Sequence, residues 1–277
     1  MRLGIFAKTF QRSTIEETLD AVVAHGLRCI QFNYACAGLP SLPQQLDSAV
    51  MKRIAGAIQQ RGIEVAAVSG TFNIIHPDAA QRDAGFKALN VIAMNCAALG
   101  TKLITLCTGT FDPNDMWREH PENNSAAAWK QMLSGIERAL EIAQTHGVFL
   151  GIEPEMANII NSAEKARQLL DDLKSPRLKI VMDAANLLSP QNFGDSPAVL
   201  NNAFDLLGND IVIAHAKDIK RSGQFAAAGK GDVDWDLYLK LLNNARFFGA
   251  LILHGLAELE VTSSVELLAG KLKTIHA

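Results

Sequence analysis

Cysteine is scarce: the 277 residues contain four, none in a CxxC pair. That argues against a secreted disulfide framework and leaves Cys29, Cys36, Cys96 and Cys107 as reduced thiols, several of them expected in the core. Charge of one sign is also lacking, with 26 Lys+Arg against 29 Asp+Glu and a net charge of −3. The chain therefore has no basic footprint for nucleic acid. No apolar run approaches the ~18 residues of a membrane span. The apolar run at the start, within Met1–Lys8, is too short for a signal-peptide core of about 7–15 residues. A soluble, cytoplasmic protein is the expectation. What the chain does have is 48% hydrophobic and 20% charged residues, enough for a large core and incompatible with disorder.

The pattern is one of short apolar strands alternating with longer amphipathic segments. Strands are read at 3–6, 29–32, 63–68, 103–106, 148–153, 178–183, 211–215 and 250–254. Helices are read at 15–23, 44–61, 79–99, 126–146, 163–173, 197–207, 235–244 and 263–275. Ser13 or Thr14, Ser162 and Asp234 stand as N-caps, and Gly26, Gly62, Gly100 and Gly147 as stops. Eight strand–helix units predict a parallel sheet, and the near-continuously apolar strands predict burial on both faces. Eight units in this length fit a closed (β/α)8 TIM barrel, read as one domain over 1–277. An open doubly wound sheet fits less well, because no first turn carries a GxGxxG loop.

Barrels place their chemistry where strands end at the C-terminal face. The fifth predicted strand ends in Glu153, the sixth in Asp183, the seventh in His215 and the eighth in His254. A charged group leaving a buried strand needs a partner, and four ligand-type side chains in succession predict a shared metal centre. Carboxylate and imidazole donors suit a divalent ion such as Mn²⁺, Mg²⁺, Co²⁺ or Zn²⁺. Glu258, four residues beyond His254, competes with it for the fourth position; His254 has the better placement.

Other polar residues have more than one reading. Glu155 is a substrate contact, a support for the ligands, or a loop charge. Lys217 and Asp218 follow His215; Lys217 is a candidate substrate contact, and Asp218 a carboxylate that orients a ligand. His76, after the third strand, is a substrate contact or a plain loop histidine. Thr108 and Thr110 read first as turn residues. The small, glycine-rich stretch 225–232 reads as a flexible loop without ligand, since it lacks the ending of a P-loop.

With these residues in view, the chain resembles the sugar phosphate isomerase/epimerase family, the xylose-isomerase-like barrels that also include zinc-type apurinic endonucleases. The likeness rests on Gly151-Ile152-Glu153-Pro154, Val181-Met182-Asp183, His215-Ala216-Lys217-Asp218 and Gly229-Lys230-Gly231-Asp232-Val233-Asp234-Trp235. The resemblance implies a (β/α)8 barrel with one divalent ion, commonly Mn²⁺ or Mg²⁺, held by Glu153, Asp183 and His215. It implies isomerisation or epimerisation of a sugar or related polyol, and Arg221 matches an arginine of the family pattern. Two positions depart. The family's ketose epimerases usually end the eighth strand in a glutamate, where this chain has His254. They also carry a histidine where this chain has Asn186. The substrate-facing set is then His76, Glu155, Asn186, Lys217 and Arg221.

The expected reaction is proton transfer next to a carbonyl through a metal-stabilised enediolate. Glu153 removes the proton, and Glu258 or His254 returns it. Dehydration of an inosose-like polyol on the same site is the near alternative. A non-catalytic sugar- or metal-binding barrel is supported by the absent glutamate. An abasic-site nuclease needs further ligands on the early strands, where only His76 is at hand. The partner is a small sugar or polyol, with no membrane and no nucleic acid. A homo-oligomer agrees with the resemblance, but no interface is legible.

Overall fold

The computed structural model describes residues 1–275; His276 and Ala277 lie outside the described residues. The strands are β1 (Arg2–Phe6), β2 (Cys29–Phe32), β3 (Glu64–Ser69), β4 (Leu103–Leu106), β5 (Phe149–Ile152), β6 (Leu178–Asp183), β7 (Ile211–Ile219), β8 (Phe225–Ala227) and β9 (Ala250–Leu253). The helices are α1 (Ile15–Ala24), α2 (Ser48–Gln60), α3 (Ala79–Asn95), α4 (Ala126–His146), α5 (Ala163–Leu173), α6 (Ser196–Leu207), α7 (Trp235–Asn244) and α8 (Val261–Ile275). β1 to β7 pair in sequence order, all parallel; β9 closes the ring between β7 and β1. The result is a closed eight-stranded parallel barrel with flanking helices, a (β/α)8 TIM barrel. β8 is outside the ring and pairs antiparallel with the end of β7.

Local chemistry accounts for the helix starts. Thr14 accepts from the Glu17 amide while Glu17 reaches back to Thr14, a full capping box. Ser125, Ser162 and Asp234 cap α4, α5 and α7 by accepting from the amides of Ala128, Lys165 and Leu237, without the reciprocal bond. α2 begins at Ser48, not at 44, because the Asp47 carboxylate accepts from the amides of Ala49 and Val50. The expected long third helix breaks into α3 and a short 3-10 turn at Ala97–Leu99 that ends on Gly100 in the left-handed region (φ 74°).

Strand periodicity divides the core. One large cluster lies between strands and helices. A second, small one fills the barrel interior: Cys29, Ala67, Val181, Ile213, Ala250 and Ile252. Because side chains alternate along a strand, the residue two beyond each of these also faces inward, one layer nearer the C-terminal mouth. Gly4 leaves room for that packing; a Cβ there would stand 2.6 Å from the Cys29 carbonyl oxygen and 2.7 Å from Ile252 Cδ1. No helix among the described residues is long and apolar enough to cross a membrane.

Candidate active site

Two residues beyond the apolar layer, the barrel interior turns polar. Val181 is followed by Asp183, Ile213 by His215 and then Lys217, Ile252 by His254, and Cys29 by Gln31. Gly151, on the same face of β5, leads to Glu153. β6 and β7 run in a register that sets Asp183 directly beside His215. Gln31, Glu153, Lys217 and His254 face a cavity of about 520 Å³ at the C-terminal mouth, and Asp183 and His215 are buried behind them. The cavity wall includes Gln31, Glu153, Glu155, Lys217, Phe225 and His254. The volume lies within the range of small-molecule pockets.

His215 is the hub. Its Nδ1 is 3.1 Å from Glu153 Oε1 and 3.8 Å from Asp183 Oδ2, and its Nε2 is 2.9 Å from Gln31 Oε1. Glu153 Oε1 also accepts from Asn186 Nδ2 at 2.8 Å. Lys217 donates to Asn186 Oδ1 and sits 3.2 Å from Asp183 Oδ2. The His254 ring stacks in parallel on His215 at 4.9 Å, with Phe6 on its other side at 5.2 Å.

The electrostatics follow from burial and neighbours. Burial disfavours charge on Glu153 and Asp183, yet both are held below the usual carboxylate range: Glu153 chiefly by His215, Asp183 chiefly by Lys217. Burial acts against the His215 imidazolium, but Glu153 and Asp183 outweigh it and raise the group to about 9. His254 goes the other way, down to about 4, because burial and the positive His215 both disfavour its charge. Burial lifts Glu155 to about 7, with Lys217 opposing the rise. Without an ion, two carboxylates are balanced by one imidazolium and one ammonium.

The donor set fits a divalent cation. Asp183, His215 and His254 each present a ligand atom within 4.8 Å of the others, and Glu153 approaches the same His215 nitrogen. Two buried polar atoms in this group, Asp183 Oδ2 and His254 Nδ1, have no hydrogen-bond partner. Asp183 Oδ2 has the Lys217 ammonium 3.2 Å away but outside hydrogen-bond geometry, and an ion shared with His254 Nδ1 would satisfy both atoms. Oxygen and imidazole nitrogen donors together suit a first-row divalent metal.

Several expected residues have different places. Glu258 does not complete this group. It is part of a short 3-10 turn, Glu258–Glu260, where Arg12 grips both its carboxylate oxygens at 2.5 and 2.9 Å. Asp218 does not orient His215. It is fully buried, and its two oxygens accept from the amides of Ile219, Gly229 and Val233 and from Trp235 Nε1. The stretch expected to be a free loop is therefore β8 and a turn bound to that carboxylate. The Arg221 guanidinium packs over Phe193, 5.5 Å from its ring centre. His76 bonds the Pro113 carbonyl and the Asp78 amide, and lines a neighbouring groove with Phe72 and Met116. Asn186 is buried and reaches Glu153 and Lys217 rather than the cavity.

Gln31 escaped the sequence reading, as did Phe6, Trp117 and Phe225 on the cavity wall. The signal for Gln31 was present: it is the one uncharged amide inside a strand with every residue buried. Trp117 and Phe225 stand in a loop and a short hairpin strand, which carry no periodicity to mark them.

A family model for the xylose isomerase-like TIM barrel matches residues 19–268, and the chain belongs to that family. Among solved structures, a D-tagatose 3-epimerase-like protein superposes with a TM-score of 0.79 at 14% identity, covering 100% of this chain and 98% of the other. The 3-keto-D-glucoside 4-epimerase of E. coli gives 0.73 at 18% identity, with 99% of each chain covered. A probable 3-DHS dehydratase of Bacillus anthracis gives 0.75 at 14% identity, covering 97% and 99%. At such identities the superpositions establish the fold. No curated protein matches the chain in sequence.

Proposed function

We propose that the protein is a divalent-metal-dependent isomerase or epimerase of a sugar or related polyol, working by proton transfer next to a carbonyl. The observation that carries this reading is Glu153. It is an ionised carboxylate at the end of β5, held by His215 and Asn186, on the wall of a cavity large enough for a polyol. The family, and the epimerases among the superposing structures, support the same reading.

Glu153, Asp183, His215 and His254 would hold the ion. When bound, it supplies polarisation of the substrate carbonyl. Glu153 removes the proton from the neighbouring carbon, a role for which a carboxylate kept ionised is suited. Glu155, raised to about 7, is the group on the same wall able to carry a proton near neutral pH. His254, held neutral between two rings, donates no proton. Lys217 remains an ammonium and offers hydrogen bonds to oxygens of the substrate.

Both carboxylates on the cavity wall come from the end of β5, and β9 contributes a neutral imidazole. One-sided proton removal and return fits this layout better than exchange between two opposed carboxylates. That favours isomerisation, and it supports a second reading: dehydration of a polyol by the same one-sided chemistry.

The test is solvent deuterium uptake, followed by NMR, into a panel of ketoses, aldoses and inososes with Mn²⁺-supplemented protein. Uptake that falls by at least about 10²-fold in Glu153→Gln, with Glu258→Gln unchanged, is expected. Retained metal with no exchange on any panel member would leave a sugar- or metal-binding barrel instead.

A further inference from the structure

Gln31 spans the barrel. It is on β2, and its side chain meets His215 on β7, which is not a neighbouring strand. The register of β2 against β3 shifts between Ile30 and Gln31. The extra residue is Ala66 of β3, so alternation along β2 is kept and Gln31, two residues beyond Cys29, faces the polar layer above it. Gln31 is 3% exposed, so its amide must find partners inside the protein. It finds two. Nε2 donates to Thr105 Oγ1 at 3.3 Å, and Oε1 is 2.9 Å from His215 Nε2.

The orientation of that amide has a consequence for His215. A carbonyl oxygen only accepts, so His215 Nε2 must carry its hydrogen. A ligating imidazole is neutral: an ion bound here would replace the Nδ1 proton of the imidazolium, and with Nε2 keeping its hydrogen on Gln31, Nδ1 is the nitrogen left with a lone pair. Nδ1 is the nitrogen that faces Glu153 Oε1 and Asp183 Oδ2. We infer that Gln31 is a positioning residue for the metal centre: it fixes the His215 tautomer so that Nδ1 faces the carboxylates as a ligand atom. Thr105 holds Gln31 in turn, so β4, β2 and β7 act together on one nitrogen. An acceptor on the far nitrogen of a ligating histidine raises the basicity of the near one.

This inference rests on the proposed metal-dependent function, and the experiment separates the two. Mn²⁺ is titrated into the metal-free protein, with free ion followed by EPR, for wild type, Gln31→Met and Gln31→Glu. Methionine keeps the length and bulk but removes the acceptor; glutamate keeps an oxygen facing Nε2. Thermal denaturation checks that each variant is folded. Mn²⁺ affinity about 10–100-fold weaker in Gln31→Met, and largely restored in Gln31→Glu, is expected. Long-range ¹H–¹⁵N spectra of the Zn²⁺-loaded wild type should show the His215 hydrogen on Nε2. Wild-type affinity in folded Gln31→Met, or an equal loss in Gln31→Glu, overturns the inference and leaves the metal site standing. A wild type that binds neither ion overturns the site and the inference together.

Discussion

Lys217 owes its place to what its neighbours lack. Gly255, in the left-handed region at φ +67°, faces the lysine stem; a Cβ there would lie 3.0 Å from Cγ and Cδ. The ammonium then reaches Asp183 Oδ2 at 3.2 Å, with the Phe225 ring centre 4.1 Å away. Burial alone would neutralise it, but Asp183, Glu153 and Glu155 keep it charged. Removing one partner of a buried ion pair strands the other, at a cost of about 3–5 kcal/mol. Lys217→Met should therefore lose stability of that order in urea denaturation without divalent ions, and added Mn²⁺ should recover part of it by supplying the missing positive charge. A loss no larger than the ~1 kcal/mol of a surface pair would show that Lys217 does not neutralise Asp183. Residue identities at this scale were legible in part. Glu153, Asp183, His215 and His254 stood at strand ends in the sequence, whereas Glu258 looked equivalent until Arg12 was seen to hold it. A sequence shows which side chains are close along the chain, not which distant cation claims them.

Elements with strong local signals were read nearly to the residue. α4 and α5 match the expected bounds, since a serine side chain fixes each start and the apolar face fixes the path. β8 was missed. It is three residues long and owes its form to Asp218, which gathers the end of β7, the following turn and α7 around one carboxylate. The packing there is close: a Cβ on Gly231 would stand 2.3 Å from Asp218 Oδ1. Asp218→Asn replaces one acceptor oxygen by a donor that faces other donors. It should cost about 2–4 kcal/mol, built from a lost charged hydrogen bond and a buried amide left unpaired. Hydrogen exchange at Gly229 and Val233 should accelerate together with that loss. Slow exchange at both amides in the variant would assign the turn to some other restraint.

On the scale of the whole molecule, the barrel buries all four cysteines. Burial pushes the thiols of Cys29 and Cys96 up to about 12 and that of Cys36 up to about 11, and raises Cys107 well above its usual value. A thiol so shifted holds almost no thiolate at neutral pH and is closed to reagents. Native protein should react with an aromatic disulfide reagent far more slowly than the denatured chain, which should release four equivalents. Rapid reaction of one thiol in the native state would reveal an opening of the barrel.

Fold class, most strand bounds and most helix bounds were determined by the sequence alone, because each is a local property: a period of two or 3.6, a cap, a glycine stop; β7 is the exception, running past the expected end at His215 to Ile219, where β8 pairs with it. Only the tertiary structure decided which ligand-type residues meet. Gln31 and His215 are 184 residues apart and touch because the ring closes between β1 and β9. Asp183 and His215 are side by side because of one particular register. Closure and register are set by the packing of the whole barrel, and no window of the chain is long enough to contain them.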